Sequence, residues 1–454
     1  MAYHTVNPYT CKEEARFEFI PEKAFHDKLS LAESSFQQWR FTSLVDRGRI
    51  LMKVAGLLEK EEEIHARNIT TEMGKPISQS RAEVAKCAWV SRYYAEKAEA
   101  FLAPLKMEST ARESYIRYDP LGVIFAVMPW NFPYWQVFRF IAPNFMAGNA
   151  GLLKHASNVP QCAMAMEKVF LDAGAPEGVF QNLLIGYEQA GEVIQHPAVR
   201  GITLTGSNHA GYKVAELAGA MGKKTVLELG GSDPYIIFAD ADLEQAAETG
   251  IMARFQNNGQ SCIAAKRFIV QEEAYEPFLS RFRDKVEALK VGDPMDPETV
   301  IGPVARKDLL LELEDQLEHI IDQGGKILTG GQRQAPDSLI LQPTIVTDLP
   351  IDASINSEEL FGPVIPVFRF RKEHEAVSMA NQTPFGLAAS IWTGSRERAD
   401  RIAPRIDAGT VAFNGMVKSE PNLPFGGIKA SGYGRELSET GMHEFLNIKT
   451  VSYF

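Results

Sequence analysis

The sequence predicts an α/β protein of two packed units, and three observations carry that expectation. Its 454 residues exceed what a single ordinary core accommodates. From residue 133 onward, apolar strand-like runs alternate with segments of helical period, the rhythm of βαβ units. Glycine and proline punctuation is spread throughout, with no low-complexity linker and no self-similar period of repeat length. With 45% hydrophobic and 23% charged residues, the composition is that of a soluble globular protein and not of a disordered chain. The 47 Lys+Arg against 58 Asp+Glu leave a formal charge of −11, which gives no electrostatic reason to seek nucleic acid or a membrane surface.

Taken in order, apolar residues such as Leu44, Leu51, Val54 and Leu58 recur at helical spacing and predict a helical layer over 31–103. The segment from Glu113 alternates polar and apolar residues and then becomes wholly apolar, as an exposed strand feeding a buried one does. Strands follow at 150–154, 179–185, 201–205, 226–228 and 235–238, interleaved with helices at 161–173, 189–196 and 211–221. A further helix follows Asp240-Ala-Asp242, which can cap it, before another strand at 266–270. The boundary between units is expected near Gly230-Gly231.

Cys11, Cys87, Cys162 and Cys262 are widely separated and form no CxxC pair, so neither a disulfide framework nor a zinc cage is expected. The nine histidines include no HExxH, and no metal site is expected. The N-terminal residues show no basic region leading into an apolar stretch, and no uncharged run approaches bilayer-spanning length. A cytoplasmic protein, neither exported nor anchored, is the expectation.

Several short constellations could carry chemistry. Asn257-Asn-Gly-Gln-Ser-Cys262 sets a thiol after a glycine turn and before an apolar strand, where it can face a cleft and nearby N–H groups favour the thiolate. Taken alone, Cys262 is better read as an inert buried cysteine. Glu228, at the end of an apolar run before Gly230-Gly231, would have its pKa raised by burial toward a value useful for a general base, or would simply bond to the following turn. Asn131, between Pro129 and Pro133, is either a fixed oxyanion donor or a turn asparagine. The strand ending at Thr205 runs through Gly206 and Ser207 toward Gly211 and a helix, an arrangement that presents N–H groups to an anion, although G-x-G-x-x-G is absent and a plain helix cap competes. Lys154 could reach a ribose or phosphate, or stand solvated at a strand end. Gly219-Ala-Met-Gly-Lys-Lys-Thr225 has the wrong spacing for a phosphate loop, and nucleotide hydrolysis is rejected.

Together, Pro129-Trp-Asn-Phe-Pro133, Leu204-Thr-Gly-Ser207, Leu227-Glu-Leu-Gly-Gly231, Gly259-Gln-Ser-Cys262, Glu359-Leu-Phe-Gly-Pro363 and Pro424-Phe-Gly-Gly427 resemble the aldehyde dehydrogenase superfamily nearly end to end. The compact length and Leu153-Lys-His-Ala-Ser-Asn-Val-Pro160 most resemble its bacterial NADP-type succinate-semialdehyde dehydrogenases. The resemblance implies a Rossmann-like cofactor domain (1–101 and 121–229), an α/β catalytic domain (230–446) and a small β oligomerisation arm (102–120 and 447–454). The alternating Tyr115-Ile-Arg-Tyr118 and the apolar end Lys449-Thr-Val-Ser-Tyr-Phe454 suit strands seeking a partner, so a homodimer or a dimer of dimers is expected.

The same resemblance makes Cys262 the nucleophile, Asn131 with the Cys262 N–H the oxyanion donors, and Glu228 the base that hydrolyses a thioester. It assigns Trp130, Lys154, Ser157, Gly206, Ser207, Gly211, Glu359 and Phe361 to the cofactor, with Glu359 on the nicotinamide ribose and Phe361 packed near it. Ser157 stands where NAD-preferring relatives commonly carry a glutamate; without a carboxylate to repel a 2′-phosphate, NADP⁺ is expected over NAD⁺. Trp135 and Arg139, four apart on an expected helix, could both face the aldehyde tunnel, Arg139 clamping a distal carboxylate with Ser419 nearby; a surface or interdomain salt bridge is the competing account of Arg139. Gln256 replaces a second pocket arginine of some relatives. Ile263 and Ala264 follow the nucleophile, so no neighbouring cysteine offers a redox switch, while a low-pKa thiol would be open to peroxide. The expected activity is oxidation of succinic semialdehyde to succinate. The alternatives are another small aldehyde, transfer of the thioester to coenzyme A, which Glu228 argues against, or a scaffold kept without turnover.

Overall fold

Residues 2–350 and 353–454 are described by the computed structural model. The helical periodicity of the first hundred residues resolves into Glu22–Trp39, Leu44–Lys60, Glu62–Met73 and Ile77–Phe101. Ser43 starts the second by accepting from Asp46 N, and its Leu51, Val54 and Leu58 are fully buried.

Six strands form the first sheet, in the order Gly432–Tyr433, Lys224–Glu228, Val199–Thr205, Val123–Met128, Ala150–His155, Phe180–Asn182. The last five are parallel and nearly all buried, as expected of strands covered by helices on both faces. The strand expected over 179–185 is confined to Phe180–Asn182. The chain leaves this sheet at Glu228 and enters the second at Asp233, so Gly230 and Gly231 lie in the crossing.

The second sheet has seven strands, ordered Lys326–Thr329, Thr344–Thr347, Val364–Phe370, Ala265–Gln271, Asp233–Ile237, Ala388–Trp392, Thr410–Phe413. All pairings but the first are parallel. Asp242 caps the helix Leu243–Phe255 by accepting from Gln245 N at 3.0 Å. Gly432–Tyr433, from the stretch expected in the catalytic domain, returns to the first sheet and pairs antiparallel with Lys224–Glu228, Gly432 opposite Glu228.

A third, antiparallel sheet joins Leu446–Tyr453 to Glu113–Pro120, with Leu105–Lys106 on the far side. An N-terminal hairpin of Ala2–Asn7 and Lys12–Glu18 was not among the expected elements. Its period-two pattern turns Tyr3 and Thr5 inward: Tyr3 Oη donates to Ile185 O at 2.9 Å and Thr5 Oγ1 to Glu72 Oε1 at 2.7 Å. Glu72 also accepts from Gln161 N and Cys162 N, so one buried carboxylate caps the helix Pro160–Asp172 and anchors the hairpin. Among the described residues, no helix is long and apolar enough to cross a membrane.

Candidate active site

The segment bearing Asn131 is fixed from beneath. Glu83 Oε1 accepts from Tyr134 N and Trp135 N, both at 2.9 Å, and so satisfies orphan donors at the start of the buried helix Trp135–Ala147. Lys75 pairs with Glu83 out of water and lies over the Phe132 ring, its Nζ 3.9 Å from the centroid. Asn131 Nδ2 donates to Gln260 O at 3.1 Å, and its backbone carbonyl accepts from Asn257 Nδ2 at 2.7 Å.

The loop that carries Cys262 is wound unusually tightly. Asn257 and Asn258 both hold positive φ (57° and 58°), a conformation asparagine tolerates better than most residues, and Gly259 follows at 76°. A Cβ on Gly259 would strike the Gly362 carbonyl, which accounts for the glycine ahead of Gln-Ser-Cys262. Lys266 Nζ donates to Ser261 O at 2.7 Å and Cys262 O at 2.6 Å and pairs with Glu359 Oε1 at 3.0 Å. Neither Asn257, Lys266 nor Glu83 was among the expected site residues.

Two cavities meet at this loop, and Cys262 and Gln136 border both. The first, about 510 Å³, is lined by Trp130, Asn131, Gly206, Ser207, Glu228, Glu359 and Phe361. Ser207 Oγ caps the helix Asn208–Ala220 by accepting from Ala210 N, Glu359 Oε1 accepts from Gly231 N at 3.1 Å, and Phe361 stands edge-on to Trp130. Gly211 lies outside this cavity, and a Cβ on it would come within 2.5 Å of the Leu229 side chain. Lys154 and Ser157 are also outside it: Ser157 lines a separate cavity of about 530 Å³ with His4 and Arg306, while Lys154 Nζ lies 5.0 Å from the Tyr187 ring centroid. Burial lowers Lys154 to about 8.

The second cavity, about 500 Å³, is lined by Lys86, Trp135, Arg139, Ser419, Lys418, Gln256 and Phe425. Arg139 is not the free clamp expected. It is 2% exposed, its Nε lies 2.7 Å from Glu436 Oε2, and its guanidinium covers the Phe425 ring. A carboxylate of the protein thus takes up much of its charge. Glu436 was missed because it lies 297 positions from Arg139 and enters only through the return of Gly432–Tyr433 to the first sheet.

Glu228 is 2% exposed, and among the described residues neither of its carboxylate oxygens has a hydrogen-bond partner. Burial, reinforced by the neighbouring Glu436, holds its carboxyl well above the usual range, while Arg139 and Arg435 pull the other way. Gly426, at φ 154°, leaves room for it: a Cβ there would come within 2.6 Å of Glu228 Oε1. Cys262 departs from expectation. Burial pushes its thiol up to about 11, with Arg139 and Lys266 opposing, so the resting sulfur is protonated at neutral pH and is not the low-pKa thiol anticipated.

The residues fit a dinucleotide. A capped helix N-terminus suits a diphosphate, a half-buried glutamate suits ribose hydroxyls, and an aromatic pair borders the way to the thiol. This is the architecture of a dinucleotide-linked oxidoreductase with a cysteine between cofactor and substrate clefts. The aldehyde dehydrogenase family model matches residues 1–451, and the chain belongs to that family. It is 50% identical over 451 residues to a probable succinate-semialdehyde dehydrogenase (NADP(+)) of Synechocystis sp., 99% of each chain being covered. It is 47% identical over 454 residues to succinate-semialdehyde dehydrogenase (NADP(+)) 1 of Mycobacterium tuberculosis, again with 99% of each covered. The crystal structure of succinic semialdehyde dehydrogenase from Streptococcus pyogenes in complex with NADP⁺ superposes with a TM-score of 0.97 at 39% identity, covering 99% of both chains.

Two predictions follow from this geometry. Alkylation of Cys262 by iodoacetamide in cofactor-free enzyme is expected to accelerate continuously from pH 7 to pH 10, since the thiolate fraction rises until the pH passes about 11; a plateau below pH 8 would contradict the shift. Glu83→Ala strands Lys75 and two N–H groups, and is expected to cost about 3–5 kcal/mol and lower the calorimetric Tm.

Proposed function

We propose that this aldehyde dehydrogenase oxidises succinic semialdehyde to succinate and prefers NADP⁺ to NAD⁺. The observation that carries the reading is one sulfur bordering two cavities, one with dinucleotide-type contacts and the other lined by cationic and hydroxyl groups. The relatives named for this activity over their full length support the choice of substrate and cofactor.

In the proposed reaction Cys262 gives its proton to a base as its sulfur attacks the aldehyde carbon, forming a C–S bond and a tetrahedral thiohemiacetal. Asn131 Nδ2–H and the Cys262 N–H donate to the oxyanion, and removal of such a donor costs on the order of a hundredfold or more in rate. Bound NADP⁺ supplies the hydride acceptor. The thioester left on Cys262 is cleaved by water whose proton passes to Glu228; the C–S bond breaks, the acid departs and the thiol is restored. A buried glutamate free of hydrogen bonds supports this role and argues against transfer to coenzyme A. The filled nucleophile, base and oxyanion positions argue against a scaffold without turnover.

For the cofactor, Ser157, three residues after Lys154, supports a 2′-phosphate, with Trp130, Gly206, Ser207, Glu359 and Phe361 toward the nicotinamide end. We assign 1–101 and 121–229 to cofactor binding, 230–446 to catalysis and 102–120 with 447–454 to the arm. Ile448 and Tyr453 are exposed on that arm and support pairing into a homodimer or a dimer of dimers. Four free cysteines among the described residues support a reducing, cytoplasmic setting.

With succinic semialdehyde, kcat/KM is expected to be higher with NADP⁺ than NAD⁺, and Ser157→Glu to reverse the order by setting a carboxylate against the 2′-phosphate; equal values in wild type would overturn the preference. Removing Arg139 deprives Glu228 and Glu436 of a shared cation and raises the Glu228 pKa further. Arg139→Met is therefore expected to slow thioester hydrolysis with charged and uncharged aldehydes alike, and to move its pH profile upward, since the base works only when deprotonated. A loss confined to succinic semialdehyde would instead mark Arg139 as a simple clamp.

A further inference from the structure

Gln79 borders neither of the two cavities, yet it holds the loop at which they meet. It stands in the first turn of the helix Ile77–Phe101, and its Oε1 accepts from the buried Asn257 N at 2.6 Å. Glu83 lies four residues on, so both side chains leave the same face of the helix, with their Cα atoms about 6 Å apart along its axis. Glu83 accepts from Tyr134 N and Trp135 N, just beyond the segment that bears Asn131. One helix face therefore grips both the loop of the thiol and the loop of Asn131. The turn ahead of this helix adds a third tie: Asn258 Nδ2 donates to Gly74 O at 3.0 Å and to Pro303 O at 2.9 Å, while its Oδ1 accepts from Gly302 N at 2.8 Å.

These ties hold a strained piece of backbone. Consecutive left-handed residues such as Asn257 and Asn258 persist only where the surroundings over-determine them. The Asn257 side chain serves the same end. Its Nδ2 donates to Asn131 O at 2.7 Å and to Gln260 O at 2.9 Å, while among the described residues its buried Oδ1 has no hydrogen-bond partner. A buried amide that leaves its acceptor unused is unfavourable in itself, so it is the two carbonyls that fix its orientation. Gln260 O also accepts from Asn131 Nδ2 at 3.1 Å. An amide nitrogen carries two hydrogens, and with one held on Gln260 O the direction of the other is set. That second hydrogen is the one proposed for the oxyanion, and Cys262 lies two residues beyond Gln260.

We infer that Gln79 is a positioning residue for the oxyanion site: by holding Asn257 N it fixes, through the Asn257 amide and Gln260 O, the aim of the free Asn131 N–H relative to Cys262. The inference rests on the proposed role of Asn131 and adds to it a residue from outside both cavities. Without Gln79 the Asn257 N–H is left unpaired in the interior and the left-handed pair relaxes. The hydrogen aimed at the developing charge then moves, while the walls that receive aldehyde and cofactor stay in place.

The test is a double-mutant cycle on kcat and KM for aldehyde oxidation with NADP⁺, each kcat normalised to the fraction of protein that binds the cofactor. Gln79→Leu is expected to lower kcat about tenfold or more with KM for the aldehyde changed less than about twofold, since a displaced donor weakens the transition state and not the ground state. Gln79→Glu keeps an acceptor for Asn257 N and is expected to retain most of the activity. In the Asn131→Ala background, Gln79→Leu is expected to change kcat less than about twofold, because the donor it aims is gone. Gln79→Asn, one methylene shorter, carries the same expectations as Gln79→Leu and decides the matter where the Leu protein does not fold. Asn131→Ala with undiminished kcat overturns the oxyanion reading and this inference with it. Where Asn131→Ala is impaired, an unaffected Gln79→Leu, an equal loss in both backgrounds, or a loss that Gln79→Glu shares in full overturns the role of Gln79 alone.

Discussion

Two carboxylates and one guanidinium, held together out of water, are the arrangement on which the rest of the site depends. Glu228 and Glu436 share the field of Arg139, and a single positive charge cannot fully stabilise both as anions in a low-dielectric interior. Burial raises both carboxyls, but Arg139 contacts Glu436 directly, so among the described residues Glu228 is the member left without hydrogen bonds and held well above the usual range. A carboxyl so placed suits the general-base role proposed for it once it is deprotonated. The arrangement also explains why the C-terminal part of the chain returns to the first sheet. Pairing Gly432 with Glu228 delivers Glu436 to Arg139, and Gly426 gives Glu228 the space it occupies.

The sulfur is governed by a different balance. Burial outweighs the attraction of Arg139 and Lys266, and the resting thiol is neutral. A neutral thiol in the resting protein is less exposed to adventitious oxidation than a permanent thiolate, because reactivity follows thiolate character. Lys266 links this centre to the cofactor cleft: all three of its donors are engaged, on Ser261 O, Cys262 O and Glu359. Any shift of Glu359 is therefore felt at the backbone of the nucleophile. Asn257 makes the matching connection on the other side, bonding the Asn131 carbonyl and Gln260 O.

Much of this was legible in the sequence, for identifiable reasons. The parallel strands read clearly because burial on both faces makes them continuous apolar runs, and Asp242 announced its helix as a cap. Cys262, Glu228 and Asn131 stood out because each lies beside glycines or prolines that fix the backbone. Glu436 and the edge strand Gly432–Tyr433 depend on pairing across more than two hundred residues, which no local period encodes. The N-terminal hairpin was legible in the alternation of Tyr3 and Thr5 with His4 and Val6, but that stretch was weighed only as a leader.

The net charge raises an apparent difficulty for an anionic substrate, since a chain at −11 repels anions at long range. Screening limits that repulsion to about 8 Å at physiological ionic strength, so a small carboxylate reaching the cavity mouth answers to the nearest charges and not to the sum. Those charges are Lys86 and Lys418 against Glu420, with Arg139 already neutralised by Glu436. The cavity is thus locally positive within an acidic protein. Low-dielectric walls such as Trp135 and Phe425 strengthen that field where it acts on the substrate, while the acidic exterior keeps the molecule soluble.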